Sequence, residues 1–285
     1  MFDLDAYLAR IDLPARPTLD AAGLSRLQRA HRLAIPFENL DVILGRGIAI
    51  DGASVFAKLV TARRGGYCFE HNRLFGDALG AIGFDHRPLL ARVWLGIDLG
   101  HGTVPPLTHT FSLVESDEGP WIADPGFGGT YAPAMPLADG AEATAPDGAR
   151  FRLSRHDRHG WLLERSGTVA GTDGRGGGEA NATGGWQPQY SFTTATVFDA
   201  DLALGNWWSS TAPGTRFTTL RLASIVLPHG FATLTDDRYR RIAGEDKAEG
   251  TITDPRVYRM RLGMMFGIAL TAQEVAGLRL FPAAG

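Results

Sequence analysis

The sequence predicts an α+β protein built from three successive sections. Apolar side chains recur at helical spacing in the first section, the middle section breaks into short alternating segments, and the last section mixes the two patterns. The length of 285 residues allows about two structural units of ordinary size. Glycine is abundant, with 36 residues, so we also expect many turns and loops.

The first section, up to about residue 84, is predicted to be helical. One helix covers residues 3–13, and a longer helix is entered at Thr18. A third helix follows a turn at residues 51–52, and a fourth covers about 68–83.

From Arg87 onward the segments favour antiparallel β structure. Strands are predicted at residues 89–97, 108–115, 121–124, 151–154, 161–164 and 191–197. The glycine-rich stretch 166–188 is predicted to be a mobile loop within this section.

The last section is predicted to contain both element types. Strands are expected at 218–227, 231–235 and 257–262, followed by a closing helix that begins at Thr271. Glu274, three residues later, completes a capping box.

Charge and cysteine content exclude several classes of function. The net charge is −3 and no run of basic residues occurs, so nucleic acid is not an expected partner. No stretch approaches the roughly 18 apolar residues of a membrane span, and the acidic N-terminus is unlike a signal peptide, so we expect a cytoplasmic protein without membrane contact. A single cysteine excludes an internal disulfide and a cysteine-based zinc site. We expect no metal, and the sequence indicates no oligomeric state.

Cys68 lies where two glycines end one element and a helix begins, in the segment RGGYCFEHN at residues 64–72. The partial positive charge of a helix N-terminus lowers the pKa of a thiol, and Arg63 and Arg64 act in the same direction. This context favours a nucleophile. The alternative is a small buried side chain on an apolar helix face.

A thiolate nucleophile needs a base, and His109 is the best candidate among eight histidines, most of which are expected to be peripheral. Alternation along 108–115 places His109 on the face of Phe111, which is expected to point inward. A hairpin closed by two residues sets Asp124 opposite Phe111, diagonal to His109. A core histidine and a turn-initiating aspartate remain the alternatives.

Trp207 and Trp208 fit either a core position or a stacking surface for an aromatic ligand, and the core position is favoured by residue type alone. His156 and His159 are interpreted as a solvated loop because no third metal ligand accompanies them. Glu38 and Arg64 are expected to form a structural ion pair.

The segment at 64–72 resembles the nucleophile motif of the arylamine N-acetyltransferases. The resemblance extends to IPFENL at 35–40, Thr108-His109, DPGFGG at 124–129 and NWWSST at 206–211, in the family's order. It implies a helical bundle (1–84) carrying the nucleophile, a β-barrel (85–200) carrying the histidine and aspartate, and an α/β lid (201–285) around a cysteine-protease-like core.

The same resemblance implies that Cys68, His109 and Asp124 are a catalytic triad for ping-pong transfer from acetyl-CoA to an aromatic amine or hydrazine. It also implies the substrate-binding and donor-binding residues. The acceptor pocket would be lined by Phe37, Val93, Phe127 and Trp208, and the thioester would lie near Thr108, Gly126 and Gly128. Pro125 departs from the family's usual aliphatic residue, so that position has no backbone donor.

Three alternatives stay open at this point. An amide synthase that closes macrolactams would keep the triad and change the acyl donor. A cysteine hydrolase or transglutaminase shares the chain order Cys, His, Asp. A binding protein on the same scaffold would leave Cys68 an ordinary thiol.

Overall fold

The computed structural model describes residues 2–100, 103–128, 131–145, 148–166 and 185–281. The predicted α+β architecture is confirmed: helices come first, an antiparallel sheet follows, and an α/β section closes the chain. Most of the glycine-rich stretch, residues 167–184, lies outside the described part. None of the described helices is long and apolar enough to span a membrane.

The first section packs its helices around one apolar core that also receives side chains from the central sheet. Its elements are α1 (Leu4–Arg10), α2 (Ala21–Ala34), β1 (Phe37–Glu38), α3 (Leu40–Ile43), α4 (Gly52–Phe56), a π-helical turn (Ala57–Thr61) and α5 (Cys68–Ile82). Helix α5 ends at Ile82 and is capped by Gly83, whose φ of 112° is the left-handed conformation that glycine adopts without strain.

The central section is an eight-stranded antiparallel sheet that curls into a nearly closed barrel. Its strands are β2 (Asp85–Val93), β3 (Leu107–Glu115), β4 (Trp121–Ala123), β5 (Met135–Pro136), β6 (Glu142–Thr144), β7 (Arg150–His156), β8 (Gly160–Arg165) and β9 (Gln187–Phe192). They follow the spatial order β5-β4-β3-β2-β9-β8-β7-β6, and buried side chains fill the interior.

The last section packs helices on a second antiparallel sheet, whose edge strand is β1 from the first section. Its elements are α6 (Asp199–Thr211), α7 (Arg216–Thr219), β10 (Leu222–Leu227), β11 (Gly230–Thr235), β12 (Arg238–Ala243), β13 (Asp246–Thr251), α8 (Pro255–Phe266) and α9 (Ala272–Gly277). The division into domains after residues 84 and 200 stays a prediction.

Several expected elements differ from the structure. The strand expected at 257–262 is wrong, because α8 covers that segment. The strand expected at 191–197 ends at Phe192, and the one expected from 218 begins only at Leu222. The capping box at Thr271 is confirmed: the Glu274 backbone N–H donates to its hydroxyl at 3.2 Å.

Candidate active site

Cys68 is the first residue of α5, as the sequence predicts. A Cβ on Gly65 would lie 2.2 Å from the Pro36 carbonyl oxygen, so glycine is required for this close approach. The Glu70 carboxylate accepts the Tyr67 backbone N–H at 3.0 Å and thereby fixes the first turn. The Cys68 side chain is buried, with Sγ 3.7 Å from the Thr108 carbonyl oxygen.

His109 and Asp124 meet through the hairpin of β3 and β4. Ser112 pairs with Ala123, so Asp124 lies opposite Phe111 and the register expected from a two-residue hairpin is confirmed. His109 Nε2 lies 2.7 Å from Asp124 Oδ2, and both side chains are buried. Because a carboxylate only accepts, Nε2 carries the hydrogen, and in the neutral imidazole Nδ1 is the basic nitrogen.

The other carboxylate oxygen of Asp124 is held independently. Oδ1 accepts the Gly126 backbone N–H at 3.0 Å and the Asn72 side-chain amide at 3.3 Å. The missing backbone N–H of Pro125 is not needed in this turn. Its carbonyl oxygen makes the contact, accepting a hydrogen bond from the Arg32 guanidinium at 2.8 Å. The carboxylate is therefore fixed on both oxygens before any substrate arrives.

Aromatic rings surround the His109 imidazole. Phe127 and Tyr190 lie 5.0 and 5.2 Å from its ring centroid, and Phe111 is stacked at 6.1 Å. Burial, together with the nearby Asp124 carboxylate, holds the pKa of the Tyr190 phenol well above its usual range. The environment of the imidazole is therefore largely apolar, with Asp124 as its anionic contact.

Cys68 and His109 line one cavity of about 440 Å³. All the residues expected to contact acceptor or donor line it too: Phe37, Val93, Thr108, Gly126, Phe127, Gly128 and Trp208. Asp124 is not among the lining residues and contacts His109 behind the wall. The structure thus brings every candidate residue to one place.

The two glycines of this wall are required by close packing. A Cβ on Gly126 would lie 2.3 Å from the Asn72 amide nitrogen, and one on Gly128 would lie 2.7 Å from the Phe37 ring. A larger residue at either position would displace a neighbour that contacts Asp124 or lines the cavity.

The core interpretation of the tryptophan pair is wrong. Trp207 and Trp208 are 57% and 44% exposed on α6, and Trp208 lines the cavity. An exposed ring beside an apolar cavity can stack on a flat ligand.

Two histidines expected to be peripheral are buried. The Tyr7 hydroxyl lies 2.9 Å from His31 Nδ1, His31 Nε2 lies 2.8 Å from His71 Nδ1, and His71 Nε2 lies 3.1 Å from the Pro36 carbonyl oxygen. Burial lowers the pKa of His31 well below its usual range and that of His71 to about 3, so both are neutral at pH 7.

The expected pair of Glu38 and Arg64 is present, at 2.7 Å, within a larger ionic cluster. Arg64 also contacts Asp41 at 3.3 Å, and Lys58 bridges Asp41 and Glu70 at 2.8 and 2.7 Å. Burial raises the pKa of the Glu70 carboxyl to about 7. The charge of Arg64 is therefore compensated by Glu38 and Asp41.

Asn72 and Tyr190 contribute to the site but were not singled out from the sequence. Asn72 lies four residues after Cys68, so helical spacing places both on one face and offers a signal for it. Tyr190 comes from β9, distant in sequence from β3, and no local pattern indicates it. Within the described ranges no group of histidine, cysteine and carboxylate side chains suits a metal ion.

Comparison with known proteins gives consistent matches. Residues 20–275 match a family described as N-acetyltransferase. An arylamine N-acetyltransferase of Mycolicibacterium smegmatis is 36% identical over 86% of this chain and 82% of that protein. A Salmonella typhimurium protein named arylamine N-acetyltransferase / N-hydroxyarylamine O-acetyltransferase is 36% identical over 94% of this chain and 89% of that protein.

A solved structure shares the fold. It is that of Mycobacterium marinum arylamine N-acetyltransferase in complex with CoA, which superposes with a TM-score of 0.84 at 29% identity over 97% of this chain and 98% of that chain. These matches confirm the resemblance carried by the sequence motifs.

Proposed function

Because the chain belongs to the arylamine N-acetyltransferase family and is therefore an acyltransferase, we propose that it acetylates arylamines and arylhydrazines from acetyl-CoA through an acetyl-cysteine on Cys68. The proposal includes transfer to the oxygen of N-hydroxyarylamines, since the Salmonella typhimurium relative carries that activity in its name. The CoA complex of the Mycobacterium marinum protein supports acetyl-CoA as donor. The cytoplasmic location stays a prediction.

One observation carries the proposal: a buried cysteine and a carboxylate-bound histidine line the same cavity. In the first half-reaction the Cys68 thiolate attacks the thioester carbonyl carbon, a new carbon–sulfur bond forms, and the bond to CoA breaks. The CoA thiolate takes its proton from the His109 imidazolium. Backbone N–H groups, including that of Cys68 at the start of α5, are proposed to stabilise the tetrahedral oxyanion.

In the second half-reaction the acceptor nitrogen attacks the acetyl-cysteine. His109 removes the proton from that nitrogen, and the Cys68 thiolate leaves. Asp124 orients the imidazole and stabilises its cation. The rings of Phe37, Phe127 and Trp208 and the side chain of Val93 form the apolar wall for a flat acceptor, while Thr108, Gly126 and Gly128 lie beside the thioester.

Steady-state kinetics with acetyl-CoA and a simple aromatic amine test the proposal. We expect parallel double-reciprocal lines and an acetylated amine as product, as a covalent intermediate requires. Cys68→Ala should abolish the reaction, whereas Gly80→Ala, a small change on the exposed part of the same helix, should leave it unaltered.

The alternatives predict different outcomes. Product formation by Cys68→Ala, or lines that intersect, would contradict the acetyl-cysteine. Loss of the acetyl group to water at the same rate with and without amine would indicate a hydrolase. Reaction only with bulkier acyl thioesters would indicate an amide synthase.

A further inference from the structure

A second cavity, of about 400 Å³, lies between α5, the strands β2 and β3, and α6. It shares no lining residue with the cavity that contains Cys68. Strand β3 borders both: Thr108 and His109 line the first cavity, whereas Thr110, Phe111 and Ser112 line the second. The second cavity is therefore a separate space farther along the strand.

The buried end of this cavity offers aromatic surface and an unused acceptor. Phe69 and Asn72 line it and are 2% and 6% exposed. The Asn72 amide nitrogen donates to the carbonyl oxygens of Cys68 and Thr110 at 3.2 and 2.6 Å, besides its contact with Asp124.

The oxygen of the same amide is not hydrogen-bonded to any described residue. A buried acceptor without a partner is costly, and a donor bound in the cavity would remove that cost. The Asn72 nitrogen already donates to Cys68, Thr110 and Asp124, so its oxygen is the atom that can accept a hydrogen bond from a ligand in this cavity.

The open end of the cavity is lined by carboxylates. Asp51 and Asp199 are exposed there, whereas Asp77 is already paired with Arg73 at 3.1 Å. The lining has three carboxylates against two guanidinium groups, the second from Arg87, and so carries one net negative charge while the imidazole of His86 is neutral. This rim favours a cation.

We propose that the second cavity is a binding site for a small aromatic molecule with a hydroxyl donor at one end and an alkylammonium group at the other, that is, a para-hydroxyphenyl-alkylamine. The hydroxyl donates to Asn72 Oδ1, the ring packs on Phe69, and the ammonium lies at the rim of Asp51 and Asp199. The size suits a small ligand. The site does not depend on the proposed acetyl transfer.

Calorimetric titration with tyramine tests the proposal. The protein is used with Cys68 free and with Cys68 blocked by N-phenylmaleimide, which fills the first cavity. We expect saturable binding with the same affinity in both forms. Phenethylamine lacks the hydroxyl, and 3-(4-hydroxyphenyl)propionate replaces the cation by an anion; each should bind about tenfold more weakly, as the loss of one charge-assisted or buried hydrogen bond predicts.

Variants locate the site. Ala203→Phe places a ring in the cavity mouth and should abolish tyramine binding, whereas Ala200→Phe, on the same helix outside the lining, should leave it unchanged. Replacing Asp51 and Asp199 together by asparagine keeps a good helix cap at position 51 and should remove the preference for the cation over the anion.

Four results would overturn the proposal. They are loss of binding when Cys68 is blocked, equal affinity for the anion, unchanged binding by Ala203→Phe, and no saturable binding of tyramine. None of them depends on whether Cys68 becomes acetylated.

Discussion

Asp124 is the residue on which the arrangement of the proposed triad depends. One oxygen accepts from His109 Nε2, while the other is held by Gly126 and Asn72. Both oxygens therefore accept hydrogen bonds, and the neutral His109 imidazole carries its hydrogen on Nε2. A side chain of the same shape that presents a donor to Nε2 would move that hydrogen to Nδ1.

Asp124→Asn is therefore expected to slow acetylation of Cys68 by about 10⁴-fold, the scale found when a triad aspartate is replaced by its amide. The amide NH₂ would face His109 Nε2 and force the hydrogen onto Nδ1, which then cannot act as a base. Single-turnover acetylation measures the rate, and an unchanged thermal midpoint serves as the folding control. A rate within tenfold of the native value would refute the role assigned to Asp124.

The chain of Tyr7, His31 and His71 has only one neutral hydrogen-bond direction. Pro36 offers a carbonyl oxygen, so His71 Nε2 must donate and its Nδ1 must accept. His31 Nε2 then donates to His71, and the Tyr7 hydroxyl donates to His31 Nδ1. Protonation of either ring breaks this sequence of bonds.

His71→Gln should make stability less dependent on pH, because glutamine can accept from His31 and donate to Pro36 without titrating. The unfolded chain takes up a proton on His71 near its ordinary pKa of 6.5, whereas the folded chain does so only near 3. Between those values the native protein loses about 1.4 kcal/mol of unfolding free energy per pH unit through this residue as the pH falls.

Urea unfolding at about pH 7 and pH 5 measures that slope. The Glu70 carboxyl, whose pKa is raised to about 7, acts in the opposite direction but is present in both proteins, so the difference isolates His71. Equal slopes for the native protein and the variant would mean that His71 does not stay neutral.

The sequence predicts contacts between neighbouring strands better than contacts between distant helices. Alternation along β3 and a two-residue turn suffice to place Asp124 beside His109, because both features are local. The pairing of His31 with His71 joins two helices 40 residues apart, and no periodicity encodes it.

Among the elements, the start of α5 depends on the ionic cluster around Arg64. Glu38 on β1 is fully buried, with Arg64 on one oxygen and the Leu40 backbone N–H at 3.0 Å on the other. Glu70, which fixes the first turn of α5, is tied to the same cluster by Lys58. The cluster thus links β1 to the helix that carries Cys68.

Arg64→Met should lower the free energy of unfolding by about 3 kcal/mol, because it leaves a buried carboxylate without its cation. The rate of Cys68 acetylation, measured well below the thermal midpoint, should change by less than about threefold, since Arg64 is compensated by Glu38 and Asp41. A fully stable variant with a much slower acetylation step would show that Arg64 acts on the thiol instead.

The segment of helix α8 was expected to be a strand because residues 257–262 partly alternate between apolar and polar side chains. The helix is specified by its capping residues and by buried side chains that recur every four residues. Asp254 caps it, Pro255 opens it and Gly267 ends it at φ 66°, while Tyr258, Leu262 and Phe266 bury one face at intervals of four. The capping residues were the informative signal.

For the whole molecule, the first and last sections are joined more closely than a chain of separate domains would be. Strand β1 pairs with β10, and Leu40 is part of the core of the last section. The Asn39 amide donates to the carbonyl oxygens of Phe217 and Leu220 at 2.8 and 2.7 Å, and its oxygen accepts the Leu222 N–H at 2.8 Å.

We therefore expect thermal unfolding to follow a single cooperative transition. Differential scanning calorimetry should give a calorimetric enthalpy close to the van't Hoff enthalpy. Two resolved transitions, one of them removed by deleting residues 201–285, would show that the last section unfolds independently.

The order of helices, sheet and mixed section follows from sequence periodicity, and the residues of the cavity follow from the family motifs. The sheet order could not be predicted, because β2 pairs with β9, roughly a hundred residues away, and the periodicity of a strand does not identify its distant partner. The use of β1 as an edge strand of the last sheet is hidden for a similar reason, since it covers two residues only.

Intact-protein mass after mixing with acetyl-CoA, without an acceptor, shows whether Cys68 carries the acetyl group. We expect a gain of one acetyl group in the native protein, no gain in Cys68→Ala, and discharge of the group when an aromatic amine is added. A native protein that yields acetylated amine without ever carrying the acetyl group on Cys68 would contradict this expectation.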